Sequence, residues 1–198
     1  MFVEQKATNQ SISMRKLIYG VGFNDADYIT TSKINGKIHR CPFYVKWIHM
    51  LERCYSEKFH VTNPSYKECS VCEEWLTFSN FKKWMKTQKW DGMCLDKDLV
   101  EKGNKTYAPD KCIFVTSDVN SIVSKFGGDS KPSGVRFSYG KWEVLCSSSG
   151  KQQTHGRYKT KSEAENRYSE VKSEMVKEIA LDQDDDVSDL LLSYFGID

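Results

Sequence analysis

Leu95–Asn120 reads LDKDLVEKGNKTYAPDKCIFVTSDVN, and the rest of the chain is organised around it. An acidic triplet, Asp96-Lys97-Asp98, stands between Leu95 and Leu99. A polar loop follows with Gly103, Asn104 and Pro109, residue types that turn chains. Cys112, Ile113, Phe114 and Val115 read as a short buried strand, and Ser117 or Asp118 can cap a helix that carries Asn120. The stretch therefore predicts a strand near 94–99, a strand near 112–116 and a helix through Asn120. On a regular strand Asp96 and Asp98, two residues apart, project from one face while Lys97 points away.

The whole chain has 198 residues, room for one ordinary domain or two small ones. Its hydrophobic and aromatic content is that of a folded protein. The longest apolar runs are far too short to span a membrane. The first residues, MFVEQKATNQSISMRK, lack the apolar core and cleavage site of a signal peptide. Seven cysteines at irregular spacing do not form a disulfide framework, and free thiols suit an intracellular, reducing compartment.

Charge is unevenly spread. Lys131, Arg136, Lys141, Lys151, Arg157, Lys159 and Lys161 face only Glu143 over that span, whereas the chain from Leu181 onward is acidic. A basic module beside an acidic tail points to a polyanionic partner for the former.

Upstream of the central stretch, residues 1–16 carry no period and are expected to be a loose arm. GVGFNDADY, Gly20 to Tyr28, reads as a loop bracing the core. CPFYVKWIHMLERCY, from Cys41 to Tyr55, places Phe43, Trp47, Met50, Leu51 and Cys54 on one helical face. Lys46, His49 and Arg53 then lie outward. Residues 56–68 are polar, with a turn at Asn63-Pro64-Ser65. In CSVCEEWLTFSNFKKWMKTQKW the residues Trp75, Phe78, Phe81, Trp84 and Met85 recur at helical steps. Core packing explains so many aromatics, and a base-stacking platform is the sharper alternative.

Downstream, 127–133 reads as a linker, and 134–180 as a separate module. GVRFSYG, KWEVLCSSSG and KQQTHGRYKT predict three antiparallel strands. Thr160 and Glu163 form a capping box, and Ala164, Tyr168, Val171, Met175 and Ile179 give the following helix an apolar stripe for one sheet face. The other face would carry the basic residues. The acidic tail, 181–198, ends in Leu190, Leu191, Leu192, Tyr194 and Phe195. That patch is open to three readings: a helix docked on its own protein, a partner-binding peptide, or an acidic mimic shielding the basic sheet. The expected fold class is α+β.

Strand, loop, strand and helix in this order resemble the ββα-metal finger of the HNH endonucleases. The resemblance puts Asp96 at the metal-binding Asp that ends the first strand, Asn120 at the helix ligand, and Lys97 where the general-base His stands. The module from Gly134 resembles the APETALA/ethylene-response-factor DNA-binding domain through Gly134-Val135-Arg136, Gly140-Lys141-Trp142, the Gly156-x-Tyr158-x-Thr160 run and Glu163-Ala164. In that family a sheet enters the major groove, and the matching contacts here are Arg136 and Trp142. Lys141, Lys151 and Arg157 join them on charge alone. Taken together, Gly20 to about Ala180 is similar to phage-encoded, free-standing HNH-type homing endonucleases. The resemblance implies a phage or prophage nuclease that nicks or cuts DNA in the bacterial cytoplasm, from residues 1–126.

Phosphodiester hydrolysis needs a divalent cation and a base. Mg²⁺ or Mn²⁺ prefers oxygen donors, which Asp96, Asp98 and the Asn120 side chain can offer. No histidine occurs between residues 61 and 154, and His49 and His60 lie away from the triplet. The base is then Lys97 with a depressed pKa, Asp98, or a water on the metal. Cys69-x-x-Cys72 is half of a zinc site, which needs two more ligands, and Cys94 or Cys112 would have to come from the following strands. A chain with this constellation but no activity would be a DNA-binding regulator descended from a nuclease.

Overall fold

The computed structural model describes residues 2–127, 134–148 and 151–197, without the side chains of Ser148 and Lys151. It is a mixed α+β structure in two units, Met1–Val115 and Thr116–Asp198.

The N-terminal arm is tied down rather than loose. The Ile29 amide donates to Gln5 O and the Ala7 amide to Asp27 O, at 2.8 and 2.9 Å, and Ala7 is buried. Thr8 caps α1 (Asn9–Ser13) by accepting the Ser11 amide. Arg15 then donates to the carbonyls of Asn24, Ala26 and Tyr28 at 2.9, 2.5 and 2.9 Å. A loop that folds inward leaves such carbonyls without partners, and a guanidinium fork has enough donors to satisfy all three. We expect Arg15→Ala to cost about 1–3 kcal/mol locally and to speed tryptic cleavage after Lys6 and Lys16. Unchanged cleavage would mean the arm is held elsewhere.

A β-hairpin follows, β1 (Thr31–Ile34) with β2 (Lys37–Arg40), turned at Asn35-Gly36 with φ of 50° and 77°. Asn-Gly accepts that left-handed pair at little cost. Helix α2 (Pro42–Tyr55) starts on Pro42 and buries Trp47, Met50, Leu51 and Cys54, as its spacing predicts. Trp47 donates its Nε1–H to Trp75 O at 2.7 Å. Gly22 lies so close to Leu51 and Trp47 that a Cβ there would collide with both.

Two supposedly outward residues of α2 turn inward. Lys46 donates to Met93 O at 2.5 Å, and Arg53 reaches Leu95 O at 3.4 Å. Residues 56–68 are also more ordered than a polar loop. Ser56 caps α3 (Glu57–Thr62), and Phe59 meets Tyr66 of the next 3-10 turn edge-on at 5.6 Å.

β3 (Ser70–Val71) leads to a 3-10 turn at Glu73–Leu76 and to α4 (Phe78–Met85). Trp75, Phe78, Phe81 and Met85 are fully buried, and Trp84 stacks on Phe114 at 5.6 Å. The aromatic run is core, which removes it as a base-stacking platform. β4 (Cys94–Asp96) stops at Asp96 and does not continue to residue 99. β5 (Thr106–Tyr107) pairs parallel with β3, and β6 (Ile113–Val115) pairs antiparallel with β4, Asp96 opposite Ile113.

The second unit begins earlier than expected, at Thr116. Its first helix, α5 (Ser117–Phe126), is capped by Thr116 and buries Val119, Ile122, Val123 and Phe126. The Phe126 ring meets Tyr168 edge-on at 6.3 Å, so α5 belongs with the sheet module and not with residues 1–115. The linker at 127–133 lies, but for Gly127, outside the described residues, as does Lys131.

β7 (Val135–Ser138), β8 (Lys141–Ser148) and β9 (Lys151–Tyr158) form the antiparallel sheet in that order. Helix α6 (Lys161–Leu181) opens on the Thr160/Glu163 capping box and packs against the sheet through Ala164, Val171, Val176 and Ala180. Tyr168, Met175 and Ile179 of the expected stripe are half-buried. The acidic tail is itself a helix, α7 (Asp185–Phe195), ending at Gly196 with φ of 63°. It packs on α6 and buries Leu191 completely, the self-docked arrangement among the three read from sequence.

Candidate functional site

Asp96 ends β4 because its carboxylate captures the next two available amides. Oδ1 accepts from Asp98 N at 2.9 Å and from Leu99 N at 2.7 Å. That turns the chain at once, so the alternation expected of Asp96, Lys97 and Asp98 on a strand does not apply. Lys97 instead folds back, donating to Asp98 Oδ1 at 2.6 Å and to Asn104 O at 2.7 Å. Asp96 and Lys97 are both buried, each 7% exposed.

Burial pulls the Lys97 ammonium toward neutrality, but the hydrogen bond and charge of Asp98, helped by Cys69 and Tyr66, raise its pKa overall. This reverses the depressed Lys97 that a general base requires. Burial also raises Asp96, against the opposing pull of the Leu99 and Asp98 amides.

Asn104 is the residue that sequence reasoning passed over. Its Nδ2 donates to Lys97 O at 2.9 Å and Thr106 O at 2.8 Å, and its Oδ1 accepts from Thr106 N at 2.9 Å. With its own carbonyl on Lys97, it ties the two ends of the loop together and is 6% exposed. The Gly103-Asn104 pair was legible as a turn, with Gly103 at φ of 79°. Nothing local said that the Asn side chain would be buried.

Asp96 and Asp98 are oxygen donors of the kind a hard divalent cation takes. The fold has already matched Asp98 to Lys97, which leaves Asp96 as the carboxylate suited to a cation. Among the described residues no three His, Cys, Asp or Glu side chains cluster as a metal site. Asn120 lies in the first turn of α5, in the other unit, half-buried with its amide on Thr116 O. His49 is exposed, its pKa lowered chiefly by partial desolvation, while the His60 ring bonds Arg53 O at 2.9 Å. Cys69 and Cys112 are buried, Cys72 and Cys94 half-buried, all as free thiols. Burial raises the pKa of Cys69 and Cys72 and pushes that of Cys112 up to about 12, so as free thiols they stay protonated.

In the second unit the register sorts the DNA-binding candidates by face. Arg136 is paired with Glu143, and Glu143 with Arg157, in one line across three strands. Glu143 accepts from Arg136 at 2.8 Å and pairs with Arg157 at 2.5 Å. Lys141, two residues before Glu143, shares this face and is exposed. Trp142 does not. It is paired with Phe137 and Tyr158, its ring 5.1 Å from that of Phe137, on the side that carries buried Val144. Arg136 and Trp142 thus face opposite ways, correcting the single basic face expected of them. β9 bulges where Gly156, at φ of 123°, lets Arg157 fall into line with Glu143. Lys151 sits at the start of β9, and its side chain lies outside the described atoms.

Comparison of the chain with family models, curated proteins and solved structures finds no match. Among the described residues no helix is long and apolar enough to cross a membrane.

Proposed function

We propose that the chain is a metal-dependent, sequence-directed DNA endonuclease of the HNH type, with an APETALA/ethylene-response-factor-like module that binds the DNA. Its manner would be that of a phage homing endonuclease acting in the bacterial cytoplasm. One observation carries this reading: an antiparallel strand pair, β4 and β6, with Asp96 at the end of the first strand and the connecting loop pinned by Asn104. Helix α5, with Asn120 in its first turn, comes next in sequence.

A bound Mg²⁺ or Mn²⁺ would supply Lewis-acid stabilisation of the leaving oxygen. Asp96 is the side chain of this unit that would hold it. Lys97 keeps its proton, so it offers a fixed positive charge beside Asp98 and does not deprotonate water. The arginines and Lys141 on the sheet meet the DNA, and the number of phosphates they neutralise sets the salt dependence of binding.

A second reading has its own support. The Lys97–Asp98 pair occupies both the expected base position and one carboxylate, as it would in a catalytically silent DNA-binding regulator. One experiment separates the two. The full chain is incubated with phage genomic DNA, with and without Mg²⁺ or Mn²⁺, and the DNA is examined for nicks and breaks. Cation-dependent cutting supports the nuclease, whereas retardation of DNA without cutting under either cation selects the regulator.

A further inference from the structure

We propose that Glu143 is the positioning residue of the DNA-contacting sheet face, one carboxylate that holds Arg136 and Arg157 side by side and sets the direction in which they meet DNA. The inference rests on the DNA-binding reading above.

A sheet face selected only for affinity to a polyanion would not place an acid between its two arginines. Glu143 does so with its side chain 4% exposed, while those of Arg136 and Arg157 are 60% and 54% exposed. Both carboxylate oxygens are used, Oε2 by Arg136 and Oε1 by Arg157, which is how a covered carboxylate avoids a desolvation penalty. A guanidinium anchored through one terminal nitrogen is restricted in rotamer and keeps its other N–H groups, in their common plane, for a ligand. Two such planes stand two strand spacings apart, about 10 Å, with Glu143 midway. The carboxylate therefore opposes a polyanion by one charge while fixing the geometry of two bidentate donors. Affinity is exchanged for orientation, and orientation is what distinguishes one base edge from another.

The test uses the full chain, a short duplex that it enriches from a random-sequence pool, and a shuffled version of that duplex. Glu143→Gln keeps the shape and can still accept an Arg N–H but removes the charge. We expect it to bind the shuffled duplex more tightly than the parent, with a salt dependence steeper by about one unit. Its preference for the enriched duplex should fall by at least about fivefold. Arg157→Ala should weaken binding to both duplexes and flatten the salt dependence by about one unit. If Glu143→Gln fails to fold, Glu143→Asp keeps the charge and shortens the reach. That variant should lose preference with an unchanged salt slope, and a retained preference overturns the proposal. A Glu143→Gln protein that only melts earlier, with the parent's slope and preference, shows a purely structural carboxylate and overturns it. A parent that binds every duplex alike also overturns it while leaving DNA binding intact. A parent that binds no duplex overturns the DNA reading, and this inference with it.

Discussion

Replacing Asn104 with Ala should cost about 2–4 kcal/mol of stability, because three buried or half-buried backbone groups lose their partner together. The Lys97 and Thr106 carbonyls lose a donor, and the Thr106 amide loses its acceptor. Lys97 depends on the same turn through the Asn104 carbonyl. Urea denaturation measures the loss, and hydrogen exchange over residues 97–106 locates it. Asn104→Asp is the sharper control. It can still accept from Thr106 N but sets a buried carboxylate against two carbonyls, so it should be at least as damaging at neutral pH and recover in part as acid protonates it and lets it donate. A loss under about 1 kcal/mol for Asn104→Ala would mean that the loop is held by its other contacts.

Asp96→Asn should reduce cation-dependent DNA cutting by at least about 100-fold, since a cation site worth several kcal/mol to the transition state loses its charged ligand. The fold should survive. The Asn side-chain oxygen can accept the same Asp98 and Leu99 amides that Asp96 Oδ1 accepts now. The pH dependence carries a sign that checks the geometry separately. Burial raises the Asp96 pKa in the folded chain, so its contribution to stability is fully present at low pH and is lost as pH rises through that raised value. Asp96→Asn has no such loss, and its stability relative to the parent should improve on going from acid to neutral pH. Full cutting by Asp96→Asn would remove Asp96 from the chemistry and leave it a turn residue.

Much of the architecture was legible because it is written in local spacing. The stripe Trp47, Met50, Leu51 and Cys54 has one helical solution with Pro42 at its start. The capping box at Thr160 and Glu163 begins α6 where it reads as if it should. Val135, Val144 and the turn at Tyr139-Gly140 suffice to order β7 and β8. The docked arm was not readable, since the three carbonyls that Arg15 caps exist only once the loop at Asn24 to Tyr28 has folded inward. Nor was the allegiance of α5, whose apolar stripe is equally good for either neighbour in sequence until Phe126 meets Tyr168.

The candidate site divides in the same way. The sequence by itself determined which residues compete for the role: the Asp96-Lys97-Asp98 triplet at a strand end, the turn at Gly103-Asn104, and arginines on alternating strands. Those are matters of residue type and spacing, and the chain carries them unfolded. Only the tertiary structure decided that Asp96 turns the backbone, that Lys97 is paired with Asp98, that Asn104 closes the loop, and that Glu143 stands beside Arg136 in place of Trp142. Each of these depends on burial, or on a partner supplied by another strand or a returning loop. A hydrogen bond or a charge acts over a few ångströms of space, whatever the distance along the chain.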